Sequence, residues 1–200
     1  MMNNNTIALL AFKGLAVWLI LSVSGFFVGE KLITALFPLY ETVAESVSDN
    51  YATKLSLREA AENKIVLAAT ATKAKAITPE RSLPAGSTIE SKITVLHALV
   101  PVVILFTVIL TWPANSIRQR IALLLLAVPA LVLVSAVTVP IQLLGQLEIG
   151  FQNAASAAGF TRDEPFVLTW MLLTEGGGRW FIAALTGLGC CGLVSHFIKN

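Results

Sequence analysis

Few side chains in this sequence could do chemistry, and the sharpest group is the run Glu175-Gly176-Gly177-Gly178-Arg179. If the glycines were helical, Glu175 and Arg179 would stand four residues apart, in the order that favours an ion pair on one helix face. If they were not, the glycines would let backbone amides approach an anionic group. The run is therefore a candidate contact for a partner or a lipid head group. The alternative is a helix break with an interfacial ion pair.

His97 is the second candidate, because an imidazole held beside a carboxylate can act as a general acid or base. It lies a few residues into an apolar stretch, where a lone histidine is also typical of a plain interface residue. Glu90, Glu148 or Glu175 could come near it on the same side of a membrane. An intramembrane enzyme that uses His97 with Glu175 and Arg179 is therefore one hypothesis.

The remaining reactive side chains exclude several classes of site. Cys190 and Cys191 are adjacent in an apolar stretch; neighbouring cysteines seldom bridge, which excludes a disulfide framework, and a buried thiol is usually inert. With only two histidines and no His/Cys ligand spacing, we expect no metal and no cofactor. A net charge of +2, without a cluster of Lys and Arg, predicts no nucleic-acid partner.

The elements that must position these residues are four apolar stretches with almost no charge inside them. The chain of 200 residues is 56% hydrophobic and 13% charged, and its mean hydropathy is +0.76. Each stretch approaches or exceeds the ~20 residues that a helix needs to cross a bilayer. The stretches cover residues 14–39, 93–112, 121–144 and 178–198. We therefore expect a membrane α-helical fold with four transmembrane helices, surrounded by the lipid bilayer.

The last apolar stretch is too long for one perpendicular crossing, and three consecutive glycines cost about 1 kcal/mol each in a helix relative to Ala. Residues 165–175 are therefore predicted to form a short interfacial helix that precedes the fourth span. The full predicted organisation is span 1 within 1–39, a subdomain at 40–92, span 2 at 93–112, a loop at 113–120, span 3 at 121–144, a loop at 145–164, the interfacial helix at 165–175 and span 4 at 178–198.

The subdomain between spans 1 and 2 is predicted to hold a short helix and a β-hairpin. Tyr51, Leu55 and Leu57 alternate with polar residues at the period of a strand. Residues 60–63 could turn the chain into a second strand at 64–77, although its Ala-rich half could also be helical. The sequence at 83–87 is a strong turn signal, and a third short strand is expected to lead from Thr88 towards span 2.

A stripe of small residues recurs every four positions along the fourth span: Ala183, Gly187, Cys191 and Ser195. Such a stripe lets helix backbones approach closely. We expect it to be a packing face, either for the bundle of this chain or for a neighbouring protein.

Tryptophans at membrane interfaces form belts, because their rings are apolar with one polar group. Trp112, Trp170 and Trp180 fall near predicted interfaces or the ends of apolar segments. Trp18 is the exception, since it lies too deep in the first span for a belt position.

The charges in short loops predict the orientation. The loop between spans 2 and 3 carries Arg118 and Arg120 and no acid, which favours the cytoplasmic side. Both termini are then cytoplasmic, and the subdomain at 40–92 is periplasmic. The prediction is a multi-pass protein of a bacterial inner membrane.

Several short motifs follow one another over most of the chain. They are Phe37-Pro38-Leu39-Tyr40, the strand-like residues 51–57, Leu83-Pro84-Ala85-Gly86 leading into His97-Ala98-Leu99, Trp112-Pro113, and Trp170 followed by Gly176-Gly177-Gly178-Arg179. In this order they resemble small bacterial inner-membrane proteins associated with exosortase-type (PEP-CTERM) protein-sorting and exopolysaccharide systems. Exosortases themselves resemble membrane enzymes that use Cys, Arg and His. This chain has too few spans and misplaced cysteines for that role, so the resemblance implies an accessory protein.

We therefore expect a non-catalytic accessory or assembly protein that binds partner proteins of the inner membrane. A subunit of a transporter or channel-like complex is an alternative. That alternative would place polar residues opposite each other at mid-membrane, whereas Gln142, His97 and Glu30 all lie towards one interface. The intramembrane enzyme described above is the other alternative.

Overall fold

A computed structural model describes residues 4–59 and 63–198, so most of the turn predicted at 60–63 lies outside the described residues. The elements in chain order are α1 (Asn4–Ala35), α2 (Phe37–Val47), β1 (Tyr51–Arg58), β2 (Lys64–Ala71), β3 (Lys75–Thr78), β4 (Arg81–Leu83), β5 (Thr88–Thr94), α3 (Val95–Thr111), α4 (Ile117–Ala157), α5 (Phe166–Leu173), a π-helical turn (Thr174–Gly178) and α6 (Arg179–Phe197).

Three helical stretches in the described part of the chain are long and apolar enough to cross a membrane, which indicates a transmembrane protein. They are Ala8–Ala35, Ile117–Ala157 and Phe166–Phe197. The second predicted span corresponds to α3, which is shorter, with 17 residues. A helix was expected over 93–112, but residues 93 and 94 belong to β5, which runs directly into α3 at Val95.

Helix α3 contacts α1, α4 and α6 and forms the centre of a helical bundle. Its Leu105 and Ile109 are fully buried in one cluster with Leu123 and Ala127 of α4. This packing explains why the short helix stays with the longer ones, because its apolar side chains are covered from several directions.

The small-residue stripe of α6 packs inside this bundle. Ala183, Gly187 and Cys191 are buried, and a Cβ atom on Gly187 would lie 3.0 Å from Val108 Cβ of α3. Ser195 is exposed at the end of the stripe and accepts a hydrogen bond from Trp112 Nε1 at 3.3 Å. The stripe is therefore a packing face within this chain.

Charged residues mark the two ends of the bundle. At one end, the arginine side, Lys13 Nζ donates to Thr111 O at 3.5 Å and Arg120 donates to Ile109 O at 3.3 Å. At the other end, the sheet side, Glu30 accepts a hydrogen bond from Asn63. The uncharged residues 14–29 of α1 lie between these ends. A helix of that length extends about 24 Å, close to the ~30 Å of a bilayer's hydrocarbon core.

Helix α4 extends far beyond this charge-free layer. Its 41 residues make it about 61 Å long, roughly twice the hydrocarbon thickness. The sequence predicted a span that ends at 144 and a loop at 145–164, whereas the helix continues to Ala157. The reason is packing: Leu147, Phe151 and Ala155 are buried, the first two in a hydrophobic core to which α1, α2, α3 and the sheet also contribute.

The part of the protein outside the charge-free layer, which we call the extramembrane part, contains an antiparallel sheet of order β1-β2-β5. Tyr51, Leu55 and Leu67 point from one face into the core, which also contains Tyr40 of α2 and Leu143 of α4. The predicted second strand at 64–77 is divided: β2 ends at Ala71, and β3 pairs with β4 in a separate hairpin. The predicted strand from Thr88 is β5.

The outer edge of β1 is protected by α2. Glu41 Oε1 accepts a hydrogen bond from Leu55 N at 2.7 Å, and Glu45 Oε1 accepts one from Thr53 N at 3.1 Å. These carboxylates take the amides that a neighbouring strand would otherwise bind. Helix α2 thus ties the sheet to the end of the first membrane helix.

Candidate functional site

Four polar side chains from four elements meet at the sheet-side end of the bundle. They are His97 of α3, Gln142 of α4, Glu175 of the π-helical turn and Arg179 of α6, which we call the His97 cluster. Three of them are candidates from the sequence. The fourth, Gln142, is named in the sequence analysis only among the polar residues that lie towards one interface.

Each member of the cluster is positioned by its local structure. Thr94 caps α3, and its Oγ1 accepts a hydrogen bond from His97 N at 3.3 Å, which fixes His97 in the first helical turn. Gln142 lies on a buried face of α4, and only 3% of the residue is exposed. An amide in an apolar stretch needs a hydrogen-bond partner, and that requirement was the available signal for Gln142.

The turn that carries Glu175 depends on glycine. Gly177 has φ = 109°, in the region that side chains disfavour, and a Cβ atom on Gly178 would lie 2.7 Å from Leu173 O. The turn separates α5 from α6 and still leaves Arg179 Nη2 3.4 Å from Glu175 Oε2. Single π-helical turns inside helices are frequent at functional sites.

The Nε2 atom of His97 is the centre of the cluster. It lies 3.0 Å from Glu175 Oε1 and 2.6 Å from Gln142 Nε2. Arg179 Nη1 also donates to it, and the Gln142 amide donates to Glu175 Oε1. One imidazole nitrogen is thus in contact with a carboxylate, an amide and a guanidinium.

These contacts correspond to two tautomers of the His97 imidazole. A guanidinium can only donate, so the contact with Arg179 belongs to a neutral imidazole with its proton on Nδ1. With a proton on Nε2, the imidazole donates to Glu175 instead. The side chains of His97 and Glu175 are 28% and 37% exposed, so water or a ligand can reach them.

Arg179 carries an unused donor. Its side chain is only 9% exposed, and its Nε has no hydrogen-bond partner among the described residues. A buried donor without an acceptor costs about 1–3 kcal/mol. An acceptor atom on a ligand beside Nε would remove that cost.

The other two carboxylates that the sequence analysis considered as partners of His97 lie elsewhere. Glu90 is paired with Arg58 at 3.0 Å and with Lys92 at 3.3 Å on the outer face of the sheet. Glu148 is paired with Lys75 in the extramembrane part. Glu175 is therefore the carboxylate that meets the imidazole.

A second polar cluster, which the sequence analysis missed, surrounds Glu148. Its carboxylate is 7% exposed and is paired with Lys75 Nζ and with Arg162 Nη2, the latter at 3.8 Å. Lys75 Nζ also donates to Tyr51 OH at 2.9 Å. Both cations lie over the ring of Phe151, 4.7 Å and 5.7 Å from its centroid. We call these five residues the Glu148 cluster.

The Glu148 cluster joins α4, β1, β3 and the loop after α4. Arg162 donates to Ala76 O, and to Ile77 O at 3.1 Å, so it holds the backbone of β3 as well as Glu148. Burial raises the pKa of Tyr51 above its ordinary value, against the opposing effect of Lys75. A carboxylate inside an apolar helix needs a cation beside it, so Glu148 alone was a signal that such a cluster exists. The sequence could not show that Lys75 and Arg162 supply the positive charge.

Within residues 4–59 and 63–198, no group of three or more His, Cys, Asp or Glu side chains is arranged to hold a metal ion. Cys190 and Cys191 are buried free thiols. Cys190 is about 16 Å along α6 from Arg179. The thiols are therefore remote from the His97 cluster.

No protein-family model, curated protein or solved structure matches this chain. The functional interpretation accordingly depends on the geometry of the two clusters and on the surfaces beside them.

Proposed function

We propose that this protein is a non-catalytic membrane accessory protein that binds another membrane protein on its sheet side. In this proposal α1, α3, α4 and α6 cross a bacterial inner membrane. Arg118 and Arg120 stand on the cytoplasmic side with both termini, and the sheet stands in the periplasm. The resemblance noted above suggests the setting, an exosortase-type sorting or exopolysaccharide system.

An exposed apolar face on α5 is the observation that carries the proposal. Phe166, Leu172 and Leu173 are 65%, 53% and 55% exposed. Helix α5 packs beside the projecting part of α4, where a Cβ atom on Gly145 would lie 2.5 Å from Met171 Cβ. In this proposal α5, the sheet-side end of the apolar stretch Phe166–Phe197, stands outside the hydrocarbon layer, on the sheet side of the His97 cluster. Apolar patches outside the hydrocarbon layer are typical of protein-interaction sites.

The partner that fits this face is a membrane protein with an apolar helix at the same level. Helix α5 stands just above the charge-free layer and leads into α6 through the exposed Gly176. A small residue on the surface lets a second helix approach closely. A partner helix that continues out of the membrane could therefore contact α5 and the turn together.

The fourth crossing in this proposal is α3. Its 17 residues extend about 26 Å, at the lower end of the lengths that span a bilayer. Its ends coincide with the two charged boundaries, since His97 lies at the level of Arg179 and Thr111 lies beside Lys13. The sheet follows α1 and precedes α4 in the chain. If α1 and α4 both cross the membrane with the sheet on one side, the chain must cross back between the sheet and α4, and α3 is that crossing.

A photoreactive amino acid at Leu172 tests the proposal in intact cells. We expect a discrete adduct with another membrane protein. The matched control is the same amino acid at Leu125, which is 68% exposed in the charge-free part of α4 and contacts lipid. The Phe166→Glu variant should lose the Leu172 adduct at an unchanged level of protein in the membrane. An adduct with lipid alone, or an adduct unaffected by Phe166→Glu, would contradict the proposal.

A second candidate function is favoured by one distance, the 3.0 Å between His97 Nε2 and Glu175 Oε1. Such a pair can transfer protons as a general acid and base, and Arg179 could stabilise developing negative charge. The His97→Gln variant separates the two candidates. If it abolishes function in the host while the Leu172 adduct still forms, the enzyme is favoured. If function and adduct both persist, the accessory role is favoured.

A further inference from the structure

A groove between α1, α3 and α6 opens along the side of the bundle. It encloses about 480 Å³, and its lining is apolar or aromatic except for one hydroxyl. Representative lining residues are Trp18 and Ser22 of α1, Leu96 and Ile104 of α3, and Trp180 of α6. The groove lies within the charge-free layer, so whatever fills it comes from the bilayer.

The depth of the groove corresponds to one leaflet. Along α3 its lining extends from Leu96 to Ile104, a rise of about 12 Å, compared with about 15 Å for half of the hydrocarbon core. Leu96 precedes His97, so the groove occupies the half of the bundle next to the sheet. A single acyl chain of the sheet-side leaflet has the matching length and direction.

Two tryptophans flank the groove, and they include the one that fits no interface belt. Trp18, which is 44% exposed, lines the deep end, and Trp180, which is 53% exposed, lines the sheet-side end. The groove therefore accounts for the depth of Trp18, because a flat apolar ring at that position covers a chain along its side.

The sheet-side end of the groove lies beside the His97 cluster. Leu96 and Trp180, which line the groove, are the direct chain neighbours of His97 and Arg179. Arg179 has the buried Nε donor that lacks an acceptor within the described chain. An apolar groove whose sheet-side end lies level with a charged donor that lacks an acceptor matches a molecule with an apolar chain and an anionic head.

We propose that the groove binds one acyl chain of a phospholipid from the sheet-side leaflet, and that the lipid phosphate accepts a hydrogen bond from Arg179. The chain packs between Trp18, Ser22 and Trp180. The phosphate satisfies Nε, while Nη2 of the same guanidinium stays with Glu175. This site is separate from the apolar face of α5, so it holds whether or not a protein partner docks there.

The test uses the full chain in detergent micelles, titrated with phosphatidylglycerol that carries brominated acyl chains, which quench tryptophan on contact. We expect saturable quenching in the natural protein. The variants Ser22→Phe and Val100→Phe fill the groove and should raise the half-quenching concentration about tenfold, equivalent to ~1.4 kcal/mol. Ser22→Ala should behave like the natural protein. Circular dichroism and gel filtration verify that the variants fold. One correctly folded filling variant is enough for the test.

A matched control comes from a second apolar groove, between α4 and α6 on the arginine side. It encloses about 390 Å³ and is lined by residues that include Ala122 and Leu193. The variant Ala122→Phe adds the same bulk there and should leave quenching unchanged. Equal half-quenching concentrations for the natural protein and both filling variants would overturn the proposal.

A separate titration tests the role of Arg179. It uses brominated diacylglycerol, a probe that lacks the phosphate. Diacylglycerol should bind the natural protein more weakly than phosphatidylglycerol. The Arg179→Gln variant should bind both probes equally, at the weaker level. If Arg179→Gln retains the preference for phosphatidylglycerol, the assignment of the head group to Arg179 is wrong. The assignment is also wrong if the natural protein binds phosphatidylglycerol no better than diacylglycerol.

Discussion

The His97 cluster and the Glu148 cluster both depend on α4, yet they differ in burial and in charge. In the Glu148 cluster one carboxylate that is 7% exposed faces two cations, which also lie over an aromatic ring. In the His97 cluster a carboxylate that is 37% exposed shares one cation with an imidazole and an amide. The first cluster is almost closed to solvent, and the second is partly open to it.

The difference indicates which cluster stabilises the fold and which is available to a ligand. A buried carboxylate with two cations holds the segments that supply them, because removal of one partner leaves uncompensated charge inside the protein. A half-exposed carboxylate loses little when its partner changes. Each cluster has one buried Nε donor without a partner in the described chain, on Arg162 and on Arg179. Only the His97 cluster adds an imidazole and a partly exposed carboxylate beside that arginine, and a ligand can contact both.

The largest expected effect is on the Glu148 cluster. The Glu148→Leu variant should lower the free energy of unfolding by about 3 kcal/mol, because Lys75 and Arg162 would keep their charges in a mostly buried position. Denaturant unfolding of the protein in detergent micelles measures this loss. The double variant Lys75→Met/Glu148→Leu should recover part of the stability. A loss below about 1 kcal/mol for the single variant would remove the distinction between the clusters.

The contact between α4 and α5 connects the two clusters, and Gly145 determines how close the helices come. A Cβ atom there would lie 2.5 Å from Met171 Cβ and 2.9 Å from Val167 O. Gly145→Ala should therefore cost about 2 kcal/mol and move the turn that carries Glu175 away from Gln142. Gly150→Ala is the control, since a Cβ atom at Gly150 meets no atom of the described chain within 4 Å. Equal stabilities for the two variants would contradict the close packing of α5.

Features that depend on neighbouring residues could be predicted from the sequence. The alternation of Tyr51, Leu55 and Leu57 is enough to identify β1, because a strand exposes every second residue to one face. The run of glycines around Gly177 similarly marks the interruption between α5 and α6. The long apolar stretches predict membrane helices for the same local reason, since length and composition alone decide them.

Features that depend on distant residues could not be predicted. Glu148 and Lys75 are 73 positions apart, and Gln142 and His97 are 45 apart. No local pattern identifies such partners, although a polar side chain within an apolar helix indicates that it has a partner. Residues 145–157 of α4 were missed for the same reason, because their buried side chains, such as Leu147 and Phe151, pack against parts of the chain that are distant in sequence.

Glu175 is expected to matter little for stability and more for binding, which is the converse of Glu148. Glu175→Gln should change the free energy of unfolding by less than about 1 kcal/mol, since the side chain is partly exposed. It also removes a negative charge beside Arg179 that repels the lipid phosphate. The half-quenching concentration of brominated phosphatidylglycerol should therefore fall about threefold. A destabilisation as large as that of Glu148→Leu would show that the His97 cluster is structural.

The smallest expected effect concerns Glu90, which is more exposed than either cluster carboxylate. Hydrogen bonds from Arg58 and Lys92 hold the pKa of Glu90 below its ordinary value of 4.5. A lowered pKa in the folded state means that the pairs stabilise the protein above pH 4.5 and lose their effect as the pH falls through the folded pKa. The difference in Tm between the natural protein and Glu90→Gln should be small at pH 6, shrink with added salt and vanish on acidification below the folded pKa. A higher Tm for Glu90→Gln than for the natural protein at pH 6 would contradict the stabilising pairs, because it would show that the ionised carboxylate destabilises the folded state.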